Sequence, residues 1–248
     1  MTNEKRIALV TGGMGGIGTA IRRRLHDEGF TVVVGCSVGS PRKDTWLAQQ
    51  LEEGYTFQAL ECDVGDWDST SKAFEKLHQE VGTVDVLVNN AGITRDGTFR
   101  RMTPENWNAV MSTNLNSLFN TSKQVVEDML NKGWGRIINI SSINGQRGQF
   151  GQVNYSTAKA GVHGFTMALA REVGGKGVTV NTVSPGYIAT DMTAAIRPDI
   201  LEGMISGIPV GRLGLPEEIA SMVAWLASKA AAYATGADFS LNGGMNMQ

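Results

Sequence analysis

Three side chains stand at a spacing suited to acid–base work on a carbonyl. Ser142 follows the apolar run Gly135–Ser141, Tyr155 lies further along, and Lys159 comes four residues after Tyr155. On a helix, residues at i and i+4 share a face, one turn apart. A free tyrosine, with a pKa of about 10, is a poor acid–base at neutral pH, but a neighbouring ammonium stabilises the phenolate and lowers that value. Ser142, at the carboxyl end of a predicted strand, could donate a hydrogen bond to a substrate carbonyl oxygen. Y-x-x-x-K by itself is common by chance; the serine before it and a glycine loop near the start of the chain give it weight.

That loop is Thr11-Gly12-Gly13-Met14-Gly15-Gly16-Ile17-Gly18, between the first apolar run and a helical stretch. Gly13, Gly15 and Gly18 satisfy G-x-G-x-x-G, while Gly12, Gly16 and Gly18 satisfy T-G-x-x-x-G-x-G. Either way, the glycines let the backbone approach a pyrophosphate and aim helix N-terminal N–H groups at it. A dinucleotide next to Ser142, Tyr155 and Lys159 implies hydride transfer. Ser142 polarises a ketone, the nicotinamide supplies hydride and Tyr155 the proton, while Lys159 tunes Tyr155 and reaches the nicotinamide ribose.

The second strand should end at Gly35-Cys36-Ser37, and no acid follows before Asp44. NAD sites place a carboxylate there for the ribose 2′-hydroxyl. Here Ser37, Ser40, Arg42 and Lys43 leave room for a 2′-phosphate and neutralise it, which favours NADP(H); a plain solvated helix start is the alternative. Cys62, Asp63 and Val64 close the third strand, where an acid could bind the adenine amino group. Asn90, Ala91, Gly92, Ile93 and Thr94 follow the fourth, where small residues let a cofactor lie on the backbone; Asn89 and Asn90 could equally be turn formers.

These residues need a scaffold of alternating strands and helices. Apolar runs of strand length fall at Arg6–Thr11, Thr31–Cys36, Thr56–Cys62, Val84–Asn89, Gly135–Ser141, Thr179–Ser184 and Asp238–Leu241. Most are near-continuous in Val, Ile and Leu, as parallel strands covered on both faces require. Helical periodicity spans Ile17–Glu28, Thr45–Glu53, Asp66–Val81, Pro104–Lys132, Asn154–Gly174 and Pro216–Ser228. The prediction is one α/β domain over residues 1–248: a doubly wound Rossmann-type seven-stranded parallel sheet with helices on both faces. Tyr187–Gly211, rich in Gly, Pro and short helical pieces, reads as a lid over the ligand crevice.

Composition agrees with a soluble enzyme. The 248 residues are 42% hydrophobic and 19% charged, with a net charge of −2, so no global field points to nucleic acid or membrane. The basic run Arg22, Arg23, Arg24 is expected on a solvated helix face. No apolar run reaches the ~20 residues of a membrane span, and MTNEKRIALVTGG lacks the pattern of a signal peptide. With two cysteines and isolated His26, His78 and His163, the expectation is a reduced, cytoplasmic, metal-free protein. Cys36 and Cys62 should end neighbouring strands close to the adenine, where an oxidant could modify them.

Taken together, Thr11–Gly18, Asn89-Asn90-Ala91-Gly92, Ser142 with Tyr155-x-x-x-Lys159, and Pro185-Gly186 resemble the short-chain dehydrogenase/reductases along essentially the whole chain. The resemblance implies a fourth catalytic residue, Asn114, anchoring a water in the proton relay. It also implies Pro185, Gly186, Tyr187 and Ile188 over the nicotinamide, Thr190 on its carboxamide, and a homotetramer built through the helices flanking Asn114 and Tyr155 and the last strand. Two branches of that family are close: 3-oxoacyl-carrier-protein reductases and acetoacetyl-CoA reductases of polyhydroxybutyrate synthesis. Asn144–Gln152, Trp134-Gly135-Arg136 and Thr235–Gly244 are similar to the second branch, and Gly133 stands near where the first carries an arginine for its acidic carrier. By that resemblance Asp96, Gln149, Phe150, Gly151, Gln152, Gly186, Tyr187 and Arg197, together with Ser142 and Tyr155, line an acyl and pantetheine site. A sensor that binds the cofactor without chemistry would be expected to lack the tyrosine or the lysine.

Overall fold

The computed structural model describes residues 5–12, 14–190, 193 and 197–247. Each of the seven apolar runs forms a strand: β1 Ile7–Val10, β2 Thr31–Cys36, β3 Gln58–Glu61, β4 Val86–Asn89, β5 Gly135–Ile140, β6 Val178–Pro185 and β7 Asp238–Leu241. They form one parallel sheet in the order β3-β2-β1-β4-β5-β6-β7. The helices are α1 Gly16–Asp27, α2 Lys43–Glu52, α3 Trp67–Glu80, α4 Pro104–Met111, α5 Ser117–Lys132, α6 Ile143–Arg147, α7 Val153–Val173, α8 Pro198–Ser206 and α9 Pro216–Ala227.

Alternation of side chains along each strand explains why the runs are apolar throughout. Ala8, Val10, Val86, Val88, Ile138, Ile140 and Val183 face Ile21 and Leu25 of α1 and Ile219, Val223 and Leu226 of α9. Their neighbours Leu9, Val33, Leu87, Ile137, Val178 and Val180 face Phe74 and Leu77 of α3, Val125 and Met129 of α5, and Val173 of α7. From β1 the chain winds outward to β3, then returns to β4 on the other side of β1. That reversal opens a crevice at the carboxyl ends of β1 and β4.

Three expectations change. The long helix Pro104–Lys132 is broken by a single π-helical stretch, Ser112–Asn116, between α4 and α5; such stretches recur at functional sites. The short α6, which Ser142 caps from the sequence side, was not expected, and α8 fills part of the lid region. Arg22 is not solvated. It is fully buried, on the inward face of α1 with Gly18, Ile21 and Leu25, because i, i+3, i+4 and i+7 point one way. Arg23 and Arg24 do face outward, paired with Glu53 and Glu28.

Candidate active site

Tyr155 and Lys159 rise from the first turns of α7 toward the carboxyl ends of β4 and β5. Lys159 is 4% exposed, and its ammonium donates to the Ile140 carbonyl at the end of β5 (2.8 Å). Its Nζ lies 5.6 Å from the centre of the Tyr155 ring. Ser142 caps α6, its Oγ accepting from the Asn144 N–H (3.1 Å). Burial pushes the Tyr155 phenol up, a hydrogen bond with Ser142 pulls it back, and the Asp96 carboxylate pushes it up again. Burial lowers Lys159 to about 8.

The predicted spacing is therefore realised, but the predicted electrostatics are not. Within the protein's own atoms Lys159 does not bring the phenol down, because desolvation dominates both groups and the ammonium is directed to a backbone carbonyl. The phenol is held in its protonated form, the form a proton donor needs.

Asn114 sits in the π-helical stretch, fully buried, and clamps Ile93 with both ends of its amide: Oδ1 accepts from the Ile93 N–H and Nδ2 donates to the Ile93 carbonyl, each at 2.9 Å. A methyl group added to Gly92 would stand 3.6 Å from Lys159 Nζ and 3.7 Å from Asn114 Oδ1. The asparagine, the lysine and the Asn90–Thr94 run thus converge on one wall.

The glycine loop is stapled to that wall. Asn90 Nδ2 donates to the carbonyls of Thr11 (3.1 Å) and Gly12 (2.8 Å), and Thr11 Oγ1 accepts from the N–H groups of Asn90 and Ala91 (3.1 and 3.2 Å). Gly12 has φ +61, and a Cβ there would lie 2.1 Å from the Ala91 Cα, so only glycine fits. At Gly15 an added Cβ would meet nothing within 4 Å, leaving its backbone open to a phosphate at the N-terminus of α1. These features fit a dinucleotide. Gly13 of the first glycine reading lies outside the described residues.

One cavity of about 500 Å³ gathers most of the predicted residues. Its walls include Gly12, Gly15, Gly16, Ile17, Gly18, Arg42, Asn90, Gly92, Ile93 and Thr94. Ser142, Gln152, Tyr155, Lys159, Pro185, Gly186, Tyr187, Ile188 and Thr190 complete the predicted set there. Met14, Ser37, Ala91, Cys62, Asp63 and Val64 lie outside its lining. Ala91 backs the loop beneath Gly12, Cys62 and Val64 are buried, and the exposed Asp63 takes the Gly65 N–H (2.9 Å). A smaller cavity of about 260 Å³ lies behind Tyr187 and Ile188, walled by Ile208, Val210 and Leu241 and the Arg212–Glu218 ion pair.

The predicted acyl site is less uniform. Gln152 lines the cavity and donates to Asp96 Oδ2 (2.9 Å), and the Gly151 carbonyl accepts from Gly97 N–H (2.8 Å). Gln149 and Phe150 project outward, Phe150 with 87% of its surface exposed. Arg197 is paired with Asp199 two residues on (3.1 and 2.5 Å), so it does not stand as a lone cation. Lys43 is likewise taken, by Glu61 at 2.5 Å, a carboxylate that also accepts from the Gly39 N–H. Glu61 escaped sequence reasoning because it reaches the end of β2 sideways, through the Cys36↔Glu61 register. Cys36 and Cys62 are neighbours as expected, the Cys62 N–H donating to the Cys36 carbonyl (2.9 Å). Burial pushes both thiols up, Cys62 to about 11, which makes them poor targets for oxidants.

Residues not anticipated also line the cavity: Ile140, Ser141, Ile143, Asn144 and Thr193. Thr193 Oγ1 accepts from the Thr190 N–H (2.8 Å) and holds the turn after Ile188. The signal that could have found Asn144 was a polar side chain two residues after Ser142.

The fold and this site define an enzyme of the nicotinamide oxidoreductase class. The model of the short-chain dehydrogenase family matches residues 6–201, and the chain belongs to that family. It is 66% identical to an acetoacetyl-CoA reductase of Cupriavidus necator over 98% of this chain and 99% of the relative. It is 52% identical to an acetoacetyl-CoA reductase of Allochromatium vinosum over 98% and 99%. It is also 47% identical to a 3-oxoacyl-acyl-carrier-protein reductase of Escherichia coli over the full length of both. The chain is thus an oxidoreductase that uses a nicotinamide dinucleotide on a small-molecule substrate. Among the described residues no helix is long and apolar enough to cross a membrane.

Proposed function

We propose that this enzyme reduces acetoacetyl-CoA to (R)-3-hydroxybutyryl-CoA with NADPH, supplying polyhydroxybutyrate synthesis. The observation that carries this reading is the single cavity in which the glycine loop, Ser142, Tyr155, Lys159 and Gln152 meet. A bound reduced dinucleotide would be held by the Gly12–Gly18 loop, the Asn90–Thr94 wall, the Pro185–Ile188 strand end and Thr190, and its nicotinamide would supply the hydride. Ser142 holds the ketone oxygen by a hydrogen bond, and Tyr155 gives that oxygen its proton, so the carbonyl becomes a secondary alcohol. Lys159, drawn to Ile140 at rest, is within reach to support the phenolate that remains. Asn114 holds the wall against which these groups align.

NADPH in preference to NADH is supported by what the end of β2 holds. Glu61 is the acid nearest that end, and it is neutralised by Lys43 and the Gly39 N–H, which hold its carboxyl below the usual range. Arg42 remains as the exposed cation on the cavity rim, able to fork onto a 2′-phosphate.

CoA in preference to an acyl carrier protein is supported at Gly133. This residue closes α5 with φ +66, a left-handed conformation that disfavours an arginine. Assembly as a cytoplasmic homotetramer completes the reading. It is supported by apolar side chains left exposed on two helices: Phe119 of α5, stacked on Trp67 at 5.6 Å, and Met167 of α7.

The test is NADPH oxidation with acetoacetyl-CoA beside the acyl-carrier-protein thioester, with NADH as cofactor control and light scattering for mass. A higher kcat/KM on CoA and with NADPH is the expected result. Preference for the carrier-protein thioester would move the chain to fatty-acid elongation.

A further inference from the structure

Asn144 is 8% exposed, lines the catalytic cavity, and carries a buried carbonyl oxygen that no group among the described residues satisfies. Its other amide atom is committed: Nδ2 donates to Gln152 Oε1 (2.9 Å), and Gln152 Nε2 in turn donates to Asp96 Oδ2 (2.9 Å). The direction of this chain is set at its far end. An ionised carboxylate only accepts, so Asp96 forces the Gln152 amide to present its NH₂ outward and its oxygen inward. That oxygen can only be met by an NH₂, which leaves the carbonyl oxygen of Asn144, a residue of the cavity wall, as the unmet atom. Both ends of the Gln152 amide are thereby engaged within the protein.

A buried, unmet acceptor costs free energy unless a ligand supplies the donor. The reacting ketone has no hydrogen to donate, so the donor must sit elsewhere on the substrate. Resting on the acyl-thioester reading above, we infer that Asn144 Oδ1 accepts a hydrogen bond from an amide N–H of the pantetheine arm. Asp96 and Gln152 act through it as positioning residues. The relay makes the site selective for thioesters bearing an amide, and it ties substrate recognition to the backbone of Asn144, which donates to Ser142 Oγ.

The test compares two small substrates, the N-acetylcysteamine thioester of acetoacetate and its S-butyl thioester. They share the ketone and the thioester, but only the first carries an N–H. Wild-type enzyme is expected to prefer the first in kcat/KM, and Asn144→Ala to reduce that preference about tenfold, whatever it does to the absolute rates. Asp96→Asn, which leaves Asn144 in place but lets both amides invert, should shift the preference the same way by a smaller factor. NADPH fluorescence titration of each variant checks that its folded cofactor site is retained. An unchanged preference in both variants would overturn the inference and leave Asn144 as a support for Ser142. Wild-type enzyme that ignores both thioesters but reduces simple ketones would overturn the thioester reading, and this inference with it.

Discussion

Lys159 and Arg22, in two regions of the molecule, are buried cations with no carboxylate partner among the described residues, and they are buried differently. At the carboxyl end of β5, Lys159 opens on the cavity, donates to Ile140, and is lowered to about 8 by burial. Behind β1, Arg22 is lowered to about 9 by the same desolvation. It touches the Val10 carbonyl at 3.3 Å, lies over the Trp46 ring at 5.4 Å, and lines no cavity described above. Its Nε and Nη1 find no partner among the described residues. Burying a charge is expensive in both places. In the proposed reaction that expense maintains a cation next to the cavity where negative charge would develop; for Arg22 no such chemistry is proposed. A perturbed pKa thus marks function only where geometry opens it to a substrate.

The sharpest cut through this comparison is at the group Lys159 serves. Tyr155→Phe should lower kcat about a thousandfold while NADPH affinity, read by fluorescence titration, changes little, since the role proposed for the phenol is proton transfer. Near-normal turnover would remove Tyr155 as proton donor.

Lys159→Met should lower kcat/KM about a hundredfold and also raise the midpoint of thermal unfolding at neutral pH. The sign follows from linkage. The folded pKa of about 8 lies below the ordinary 10.5, so between those values the unfolded chain binds more protons and stability rises with pH. The stability advantage of the methionine variant should therefore shrink as pH climbs through that window, in urea titrations of both proteins. Wild-type turnover should fall above about pH 8 as the ammonium is lost.

A third cation, the exposed Arg42 on the cavity rim, extends the comparison to a site where burial plays no part. Arg42→Ala should cut the preference for NADPH over NADH by about tenfold, as expected for lost charge-assisted bonds to phosphate. Lys43→Ala should cut the same preference indirectly, because it leaves the Glu61 carboxylate without its ammonium partner. An unchanged preference in Lys43→Ala would remove the neutralised Glu61 from the account of cofactor choice.

The smallest functional effect belongs to Arg22. Arg22→Met should leave turnover within about twofold and stabilise the fold by roughly 1–4 kcal/mol, as replacement of buried ionic groups by apolar ones can. Loss of turnover in a stable Arg22→Met protein would show that this region shares in catalysis after all.

Much of this was legible in the chain. All seven strands, their parallel character, the glycine loop and the Ser142, Tyr155 and Lys159 spacing follow from apolar runs, helical periodicity and short motifs, which are local properties. The run Arg22-Arg23-Arg24 shows the limit. Composition reads it as one solvated patch, yet helical phase divides it into one buried and two outward residues. The same holds at the end of β2, where the absence of an acid along the strand was visible and the arrival of Glu61 from β3 was not.

The sequence by itself determined the seven strands, their alternation with helices and the spacing of Ser142, Tyr155 and Lys159, because spacing of a few residues decides which side chains share a face. Only the tertiary structure decided which charges are neutralised and which polar atoms are left unmet. Lys43 with Glu61, Arg197 with Asp199, and the chain from Asp96 through Gln152 to Asn144 all depend on register, burial and the direction of hydrogen bonds. Those are set by which segments meet in space, and the low dielectric there turns a single unmatched donor or acceptor into a binding preference.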